Sequence, residues 1–341
     1  MYKNILKNVT THQDLSEQEI YDLISAINRD EVSDVQIAGF QVALLMKGSS
    51  PKEIAYIAKA MRENCVPLKP NVNEDLMDTC GTGGGLSTFN ISTATAFVAA
   101  AAGIRIAKHG SRSISSLSGS ADVLEALGIN INLSPAQAEK LIEDIGITFL
   151  YAPLFHPVMC KVLPAESDLG IKTIFYTIIG PLINPTFATR HLLGVYKPEL
   201  LDTVAFVARD LGYTHAMFVH GMDGLDEISV IGKTRINELI NGEITTYEIE
   251  PEDFGMERCT LDEIKTGTPE ENATTIRGVF SGEITGPRRN AILLNAAGAL
   301  KVGGKVSTFE EGIALAAKLI DNGAAAEKLD QLCEMSNSFL G

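Results

Sequence analysis

The chain has 341 residues, of which 45% are hydrophobic and 21% are charged, a balance typical of folded globular proteins. This length predicts one large domain and one smaller domain. The formal net charge of −15 argues against a nucleic-acid partner, because acidic side chains repel phosphates.

The apolar runs and the cysteines favour a cytoplasmic protein. The longest apolar run, about residues 91–107, contains Arg105 and is too short and too polar to span a membrane, so we expect no membrane partner. The first eleven residues lack the apolar core of a signal peptide. The five cysteines are odd in number and lack metal-ligand spacing, so we expect free thiols.

The N-terminal part of the chain has helical periodicity. Ser16 precedes a run in which apolar residues recur every three or four positions. Two further helix starts are predicted at residues 33–34 and at Ser50, where the next residue is a proline that suits a first turn. Since no strand pattern interrupts residues 15–65, we predict a small helical domain over residues 1–70.

Residues 78–122 predict a strand, a glycine loop, a helix, a second strand and a basic loop, in that order. The glycine loop covers residues 81–85, and the alanine-rich helix is predicted to begin at residues 90–92. The second strand is predicted at residues 104–107, so that residues 108–112 form the loop at its end.

The two loops of this stretch have the composition of an anion site. Glycines let backbone N–H groups approach a phosphate, and a helix N-terminus adds partial positive charge. Charges and hydroxyl groups come from Lys108, Arg112, Ser92, Thr93, Ser111, Ser113 and Ser116. Because loops that follow parallel strands meet at one edge of a sheet, the stretch predicts a phosphate site. Leu86 departs from both the P-loop and the dinucleotide-binding patterns.

The rest of the chain predicts alternating strands and helices, and hence an α/β protein with a mainly parallel sheet. Strands are predicted at residues 148–151, 192–196 and 216–220. Helices are predicted at residues 121–127, from residue 134 onwards, and at 198–211, 290–300, 308–320 and 324–334. Residues 157–170 are interpreted as a polar run and residues 180–182 as a turn.

Several motifs, in this order, resemble the anthranilate phosphoribosyltransferase family, relatives of the pyrimidine nucleoside phosphorylases. They are GTGG at 81–84, FNIS at 89–92, KHG-x-R at 108–112, GPLINP at 180–185 and DEIS at 226–229. The resemblance covers most of the chain. It implies a helical N-terminal domain, with which residues 160–188 also pack, and an α/β domain over residues 73–341. It also implies a homodimer formed through the N-terminal helices.

The resemblance implies a Mg²⁺-dependent transfer of phosphoribose from phosphoribosyl diphosphate to the nitrogen of anthranilate or a related aromatic amine, with release of diphosphate. The implied donor-binding residues are Gly81, Thr82, Gly83, Gly84, Asn90, Ser92, Thr93, Lys108, Gly110, Ser111 and Ser120. The implied Mg²⁺ ligands are Ser92, Asp226 and Glu227. The implied acceptor-binding residues are Ser111, His156, Glu166, Tyr176 and Gly180.

Several residues depart from the family pattern. Gly85 stands where the family has Asp, and Ser111 where it has Asn. Glu166 stands where the family has the Arg that binds the anthranilate carboxylate, while Lys172 replaces the next Arg and Tyr176 an Asn. Because a glutamate cannot imitate the arginine fork, we hypothesise an acceptor that lacks this carboxylate or carries positive charge. The alternative is an anthranilate enzyme that holds the carboxylate through Lys172 or another group.

Two other functions stay open at the level of sequence. A nucleoside phosphorylase would use phosphate as the nucleophile, but residues 108–112 fit its Lys-x-Ser loop less well. A non-catalytic paralogue would bind a nucleotide or a nucleic acid. The net charge of −15 weighs against the nucleic acid, and the Asp226-Glu227 pair weighs against loss of magnesium chemistry.

Overall fold

The computed structural model describes residues 1–113 and 117–340, and no helix in these ranges is long and apolar enough to cross a membrane. Its N-terminal helices are α1 (Tyr2–Thr10), α2 (Glu17–Asn28), α3 (Asp34–Lys47) and α4 (Pro51–Glu63). Ser16, Ser33 and Ser50 each begin a helix with a capping box, in which a glutamate or glutamine three residues later returns the hydrogen bond. The predicted helical N-terminal part is confirmed, and α1 adds to it.

A seven-stranded sheet forms the centre of the larger part. Its strands are β1 (Leu76–Gly81), β2 (Arg105–Gly110), β3 (Ile147–Tyr151), β4 (Arg190–Gly194), β5 (His215–Gly221), β6 (Thr234–Ile240) and β7 (Glu243–Ile249). Their order is β3-β2-β1-β4-β5-β6-β7, and the five strands from β3 to β5 are parallel. The predicted α/β class with a mainly parallel sheet is therefore confirmed.

The expected alternation of strands and helices after β5 is wrong, because β6 and β7 form an antiparallel hairpin beside it. Asn241 and Gly242 join these two strands with φ values of +49° and +91°. Two-residue hairpin turns need such positive angles, which asparagine and glycine adopt most readily. The Asn-Gly pair is the sequence signal that would have predicted this hairpin.

Helices cover the sheet and fill the rest of the chain. They are α5 (Ile91–Ala101), α6 (Ser120–Ala126), α7 (Pro135–Ile145), α8 (Ala152–Phe155), α9 (Pro157–Leu169), α10 (Gly180–Leu182), α11 (Leu201–Asp210), α12 (Leu261–Ile264), α13 (Pro269–Phe280), α14 (Pro287–Val302), α15 (Phe309–Asp321) and α16 (Ala324–Asn337). Short 3₁₀ turns lie at Pro198–Leu200, Pro251–Phe254 and Ser338–Leu340.

The segment between β3 and β4 is more helical than its sequence indicates. The expected polar run is α9, which contains Pro164 and ends at Gly170 in the left-handed conformation. The expected turn is α10, which directly continues a π-helix over Phe175–Ile179. The helix α9 was not predicted because Pro164 is unfavourable within a helix and polar residues are scattered along the segment. These polar residues occur because only one face of α9 packs in the protein.

The buried side chains form two clusters. One contains α1 to α4, together with Val158, Val162 and Phe175 from the α9 and π-helix segment, and it continues onto one face of β4 and β5. The other lies between the opposite side of the sheet and the helices α5, α7, α14 and α16. The hydrogen bond from Arg62 Nε of α4 to the Leu182 carbonyl, 2.9 Å, fastens the bundle to the end of α10.

Candidate active site

A cavity of about 550 Å³ lies at the carboxyl ends of β1 and β2, with α9 and the π-helix as its opposite wall. Among the described residues, most of the predicted site residues line it. These are Gly81, Thr82, Gly83, Gly84, Asn90, Ser92, Lys108, Gly110, Ser111, Ser120, His156, Tyr176, Gly180, Asp226 and Glu227. Thr93 and Glu166 are not among the residues that line the cavity.

The glycine loop after β1 is shaped by its backbone. Gly83 and Gly84 have φ values of +63° and +91°, which side-chain-bearing residues rarely adopt. Thr82 fastens the loop to the end of β4, since its N–H donates to the Gly194 carbonyl at 2.8 Å and its hydroxyl accepts from Tyr196 N at 3.0 Å. The loop is therefore a fixed concave backbone, suited to an anion.

Asp226 lies directly against this loop. A Cβ atom added at Gly85 would lie 2.7 Å from Asp226 Oδ1 and 3.0 Å from its backbone nitrogen. A Cβ at Gly194 would meet the Asp226 carbonyl oxygen at 1.7 Å. Glycine at position 85 therefore matches the close approach of Asp226.

Asp226 and Glu227 form a carboxylate pair at the cavity wall. Burial, together with the neighbouring Asp226 charge, raises the pKa of Glu227 to about 8, and burial also raises the pKa of Asp226. Two adjacent carboxylates that repel one another are stabilised by a divalent cation. Mg²⁺ prefers few protein carboxylates together with phosphate oxygens, so this pair fits it.

Lys108 supplies a positive charge to the same cavity as the glycine loop and the Asp226-Glu227 pair. It belongs to β2 rather than to the loop after it, and only 3% of its surface is exposed. Its Nζ donates to the Thr79 carbonyl and lies 3.5 Å from Ser92 Oγ in the first turn of α5. Burial lowers its pKa, while the charges of Asp78 and then Glu227 oppose that shift.

Asp78 is a buried support that the sequence analysis missed. Its carboxylate accepts hydrogen bonds from the backbone nitrogens of Thr79 and His109, at 2.7 and 3.1 Å, and from Asn184 Nδ2 at 2.7 Å. Burial raises its pKa to about 6. Asn184 also donates to the Ala107 carbonyl, so that β1, β2 and the segment after α10 meet at one point. The sequence signal that could have indicated this role is a charged aspartate within a predicted buried strand.

Asp78 also belongs to a group that resembles a metal site. Its carboxylate, the Cys80 thiol and a His191 nitrogen lie within 4.8 Å of one another. Burial raises the pKa of Cys80 well above its usual value and lowers that of His191 to about 3. Since the Asp78 oxygens already accept three hydrogen bonds, we interpret the group as a hydrogen-bonded cluster beneath the glycine loop.

Two predicted donor-binding residues at the start of α5 have different surroundings, since Asn90 lines the cavity and Thr93 does not. Asn90 precedes the helix, but its amide does not cap it; instead its Oδ1 accepts from Ser118 Oγ at 3.1 Å and Asn272 Nδ2 at 2.9 Å. Thr93 is 1% exposed and faces the core. It lies one position past Ser92, a turn of about 100° that carries its side chain away from the cavity.

The second predicted phosphate loop is built around Gly110. A Cβ there would lie 2.2 Å from Ser120 Oγ, so glycine lets β2 end against α6. Arg112, expected to face a phosphate, is paired with Glu125 at 2.6 and 2.8 Å and with Asp122 at 3.1 Å. Ser116, a predicted hydroxyl donor, lies outside the described residues.

The wall opposite the glycine loop comes from α9 and the π-helix. Met159, Cys160 and Leu163 of α9 line it, together with Lys172 and Tyr176. His156, at the start of α9, is 1% exposed, and burial lowers its pKa well below the usual value. Its ring packs edge-on against His109, 4.9 Å between ring centres. Burial lowers the pKa of His109 to about 4, so both imidazoles are neutral near pH 7.

Glu166, which was expected to contact the acceptor, does not line the cavity. The side chain is 4% exposed and lies between α9 and α3. It accepts hydrogen bonds from Gln41 Nε2 at 3.2 Å, from Thr173 N at 3.2 Å and from the Thr173 hydroxyl. On α9 it shares the buried face of Val158 and Val162, at intervals of four residues, whereas Met159 and Leu163 face the cavity.

Two family models match the chain. The helical bundle domain of a glycosyl transferase family matches residues 3–65, and the a/b domain of that family matches residues 73–326. The anthranilate phosphoribosyltransferase of Acetivibrio thermocellus is 48% identical over all 341 residues and 98% of its own length. That of Desulfosudis oleivorans is 45% identical, covering 99% of each chain.

Solved structures give the same result. The anthranilate phosphoribosyltransferase from Thermus thermophilus matches with a TM-score of 0.91 and 39% identity, over 98% of this chain and 99% of that one. The enzyme from Saccharomyces cerevisiae in complex with phosphoribosyl diphosphate and Mg matches with a TM-score of 0.90 and 29% identity, over 99% and 98%. The chain therefore belongs to the anthranilate phosphoribosyltransferase family.

Proposed function

We propose that this protein transfers phosphoribose from phosphoribosyl diphosphate to the amino nitrogen of anthranilate and releases diphosphate. The observation that carries the proposal is the meeting of the glycine loop, Lys108 and the Asp226-Glu227 pair in one cavity. The yeast relative of this fold is in complex with phosphoribosyl diphosphate and Mg, and a second yeast structure is in complex with 4-fluoroanthranilate.

Mg²⁺ fits the donor side of the cavity. Asp226 and Glu227 would hold it, with Ser92 close by, and it would neutralise charge on the diphosphate. The positive φ angles of Gly83 and Gly84 present backbone N–H groups to the same anion. Lys108 adds a buried positive charge beside the Ser92 hydroxyl.

These residues act mainly by positioning and electrostatics. The C–O bond to diphosphate breaks as the C–N bond to the arylamine forms, so negative charge builds on the departing oxygens. Lys108 and the loop N–H groups stabilise that charge without reorganising. The arylamine loses its proton readily once the C–N bond exists, so neutral His109 and His156 need only order the wall of the cavity.

The burial of Glu166 supports anthranilate as the acceptor. Its buried carboxylate is held by Gln41 and Thr173, so its negative charge does not face the cavity. Repulsion between Glu166 and an acceptor carboxylate is therefore no argument against anthranilate, although another cation must take the place of the arginine fork. Met159, Leu163 and Tyr176 give the acceptor side an apolar and aromatic lining that suits a benzene ring.

The direct test follows the loss of anthranilate fluorescence with phosphoribosyl diphosphate and Mg²⁺. We expect turnover that requires both, with one diphosphate released per anthranilate consumed. The control is Asp226→Asn/Glu227→Gln, which should need a much higher Mg²⁺ concentration. Anthranilate consumption that persists without phosphoribosyl diphosphate, or its absence while the donor still binds, would reject the proposed reaction.

We also propose that the protein forms a homodimer in the cytoplasm. Val35, Val42, Leu45 and Met46 of α3 are large apolar residues that stay 40 to 83% exposed. Exposed apolar patches of this kind mark association surfaces. The cysteines are free thiols, which suits a reducing compartment. Sedimentation of Val42→Asp/Met46→Asp should give a monomer where the wild type gives a dimer.

A further inference from the structure

Three cationic side chains line the cavity within the described part of the chain, and two of them are already engaged. Lys108 is buried and donates to the Thr79 carbonyl. Arg112 pairs with Glu125 and Asp122. Lys172 is exposed, and no described carboxylate lies within ion-pair distance of it. Because Lys108 serves the diphosphate in the proposed reaction, Lys172 is the described cavity cation that is left for an anion on the acceptor side.

Tyr176 keeps Lys172 at the cavity. The Lys172 Nζ lies 4.9 Å from the centre of the Tyr176 ring, within the range of a cation–π contact. Met159 and Leu163 on α9 also line the cavity. This side of the cavity therefore combines an apolar wall with one unmatched positive charge, the arrangement that an aromatic carboxylate requires.

Glu166 fixes this arrangement from behind the wall. Its carboxylate accepts from both the backbone N–H and the hydroxyl of Thr173, the residue that follows Lys172. The Thr173 oxygen in turn accepts from Phe175 N at 3.3 Å, at the start of the π-helix that presents Tyr176. Glu166 is thus a positioning residue for Lys172 and Tyr176.

We propose that Lys172, held by Tyr176, binds the carboxylate of an aromatic amine acceptor. The proposal rests on the proposed function and specifies how its acceptor is recognised. An ammonium group makes a charge-assisted hydrogen bond to a carboxylate, and its position on the cavity wall lets it reach an acceptor without being buried.

The test is a fluorescence titration of anthranilate into wild type, Lys172→Met and Lys172→Arg, with inorganic diphosphate and Mg²⁺ present so that the donor side is filled and no transfer occurs. Lys172→Met should weaken anthranilate binding roughly 10- to 100-fold, whereas Lys172→Arg should stay within about threefold of wild type. Tyr176→Phe should retain the affinity because the cation–π contact survives. Phosphoribosyl diphosphate binding should be unchanged in all of them.

A matched control is Lys197→Met. Lys197 also lies over a tyrosine, 5.3 Å from the Tyr196 ring centre, but it does not line the cavity. Diphosphate release with aniline, which lacks the carboxylate, should be equal in wild type and Lys172→Met.

The outcomes separate this proposal from the proposed function. Equal anthranilate affinity in wild type and Lys172→Met, or no measurable anthranilate binding by the wild type, would overturn the role of Lys172. Anthranilate bound through Lys172 without diphosphate release would reject the reaction while supporting the carboxylate site.

Discussion

The donor side and the acceptor side of the cavity are built in different ways. The donor side consists of backbone at strand ends, with Gly83, Gly84 and Gly110 placed where a Cβ atom would be strained or would clash. The acceptor side consists of helical side chains on α9 and the π-helix. A change of residue type therefore affects the two sides differently.

This contrast teaches that a residue of opposite charge in the sequence does not reverse the charge of a site when its side chain faces away from that site. On the donor side, a Cβ atom added at Gly85 or Gly110 would clash with Asp226 or Ser120, so a substitution there must shift the backbone that lines the cavity. On the acceptor side, Glu166 lies on the face of α9 that packs against α3, and its carboxylate accepts hydrogen bonds from Gln41 and Thr173.

The largest expected effect is on the donor side. Lys108→Met removes the buried cation beside Ser92, and kcat/KM for phosphoribosyl diphosphate should fall roughly 100- to 1,000-fold. Anthranilate affinity, measured by fluorescence, should change little. Lys197→Met serves as the control, and thermal unfolding checks that the variant is folded. A loss below about threefold would contradict the role of Lys108.

A smaller donor-side effect is expected at Gly85. Gly85→Ala should weaken Mg²⁺-dependent donor binding about tenfold, because its Cβ would approach Asp226 Oδ1 to 2.7 Å. Gly85→Asp should weaken binding further, since it adds a carboxylate beside the existing pair. Isothermal titration with phosphoribosyl diphosphate distinguishes the two. Equal affinities for both variants would show that only space matters.

The matching experiment on the acceptor side concerns Glu166. Glu166→Arg places an unpaired charge between α9 and α3 and should lower the free energy of unfolding by about 3 kcal/mol. Glu166→Gln preserves hydrogen-bonding capacity and should cost less than about 1 kcal/mol. Denaturant unfolding measures both. Faster anthranilate turnover by Glu166→Arg would instead restore the view that position 166 contacts the acceptor.

The smallest effect is a pH dependence of the carboxylate pair. The pKa of Glu227 is about 8 in the folded protein, above its value in the unfolded chain, so the folded state binds more protons between these values. Without Mg²⁺, its contribution to stability is present at low pH and is lost as the pH rises through about 8. Added Mg²⁺ should therefore raise Tm more at pH 8 than at pH 6, by on the order of 2 °C.

The Mg²⁺ experiment has an internal control. Glu227→Gln removes the titrating group, so its gain in Tm with Mg²⁺ should vary less with pH. The same gain at both pH values in the wild type would exclude proton competition at this pair.

The donor side could be predicted from sequence because its signals are local. The glycines, the helix start and Lys108 lie within about thirty positions of one another, and the strands bring them to one edge of the sheet. The strands predicted at residues 148–151, 192–196 and 216–220 followed from apolar runs. The direction of Thr93 was missed because helix phase within a first turn depends on where the helix begins.

The acceptor side could not be predicted in the same way. Whether Glu166 faces the cavity depends on the rotation of α9, and Pro164 concealed that helix altogether. The partner Gln41 lies 125 positions away on α3. No local pattern contains a hydrogen bond between such distant residues, so the burial of Glu166 becomes visible only when the helices are packed.

The two buried clusters have a consequence for how the chain folds. The bundle of α1 to α4 is completed by Val158, Val162 and Phe175, more than ninety positions beyond the end of α4, and it shares its core with β4 and β5. The two family models meet between residues 65 and 73, but the parts on either side of this point share a core and should therefore unfold together. A fragment of residues 1–70 should collapse without fixed packing, and the whole chain should unfold as one unit whose slow step is the closure of these distant contacts.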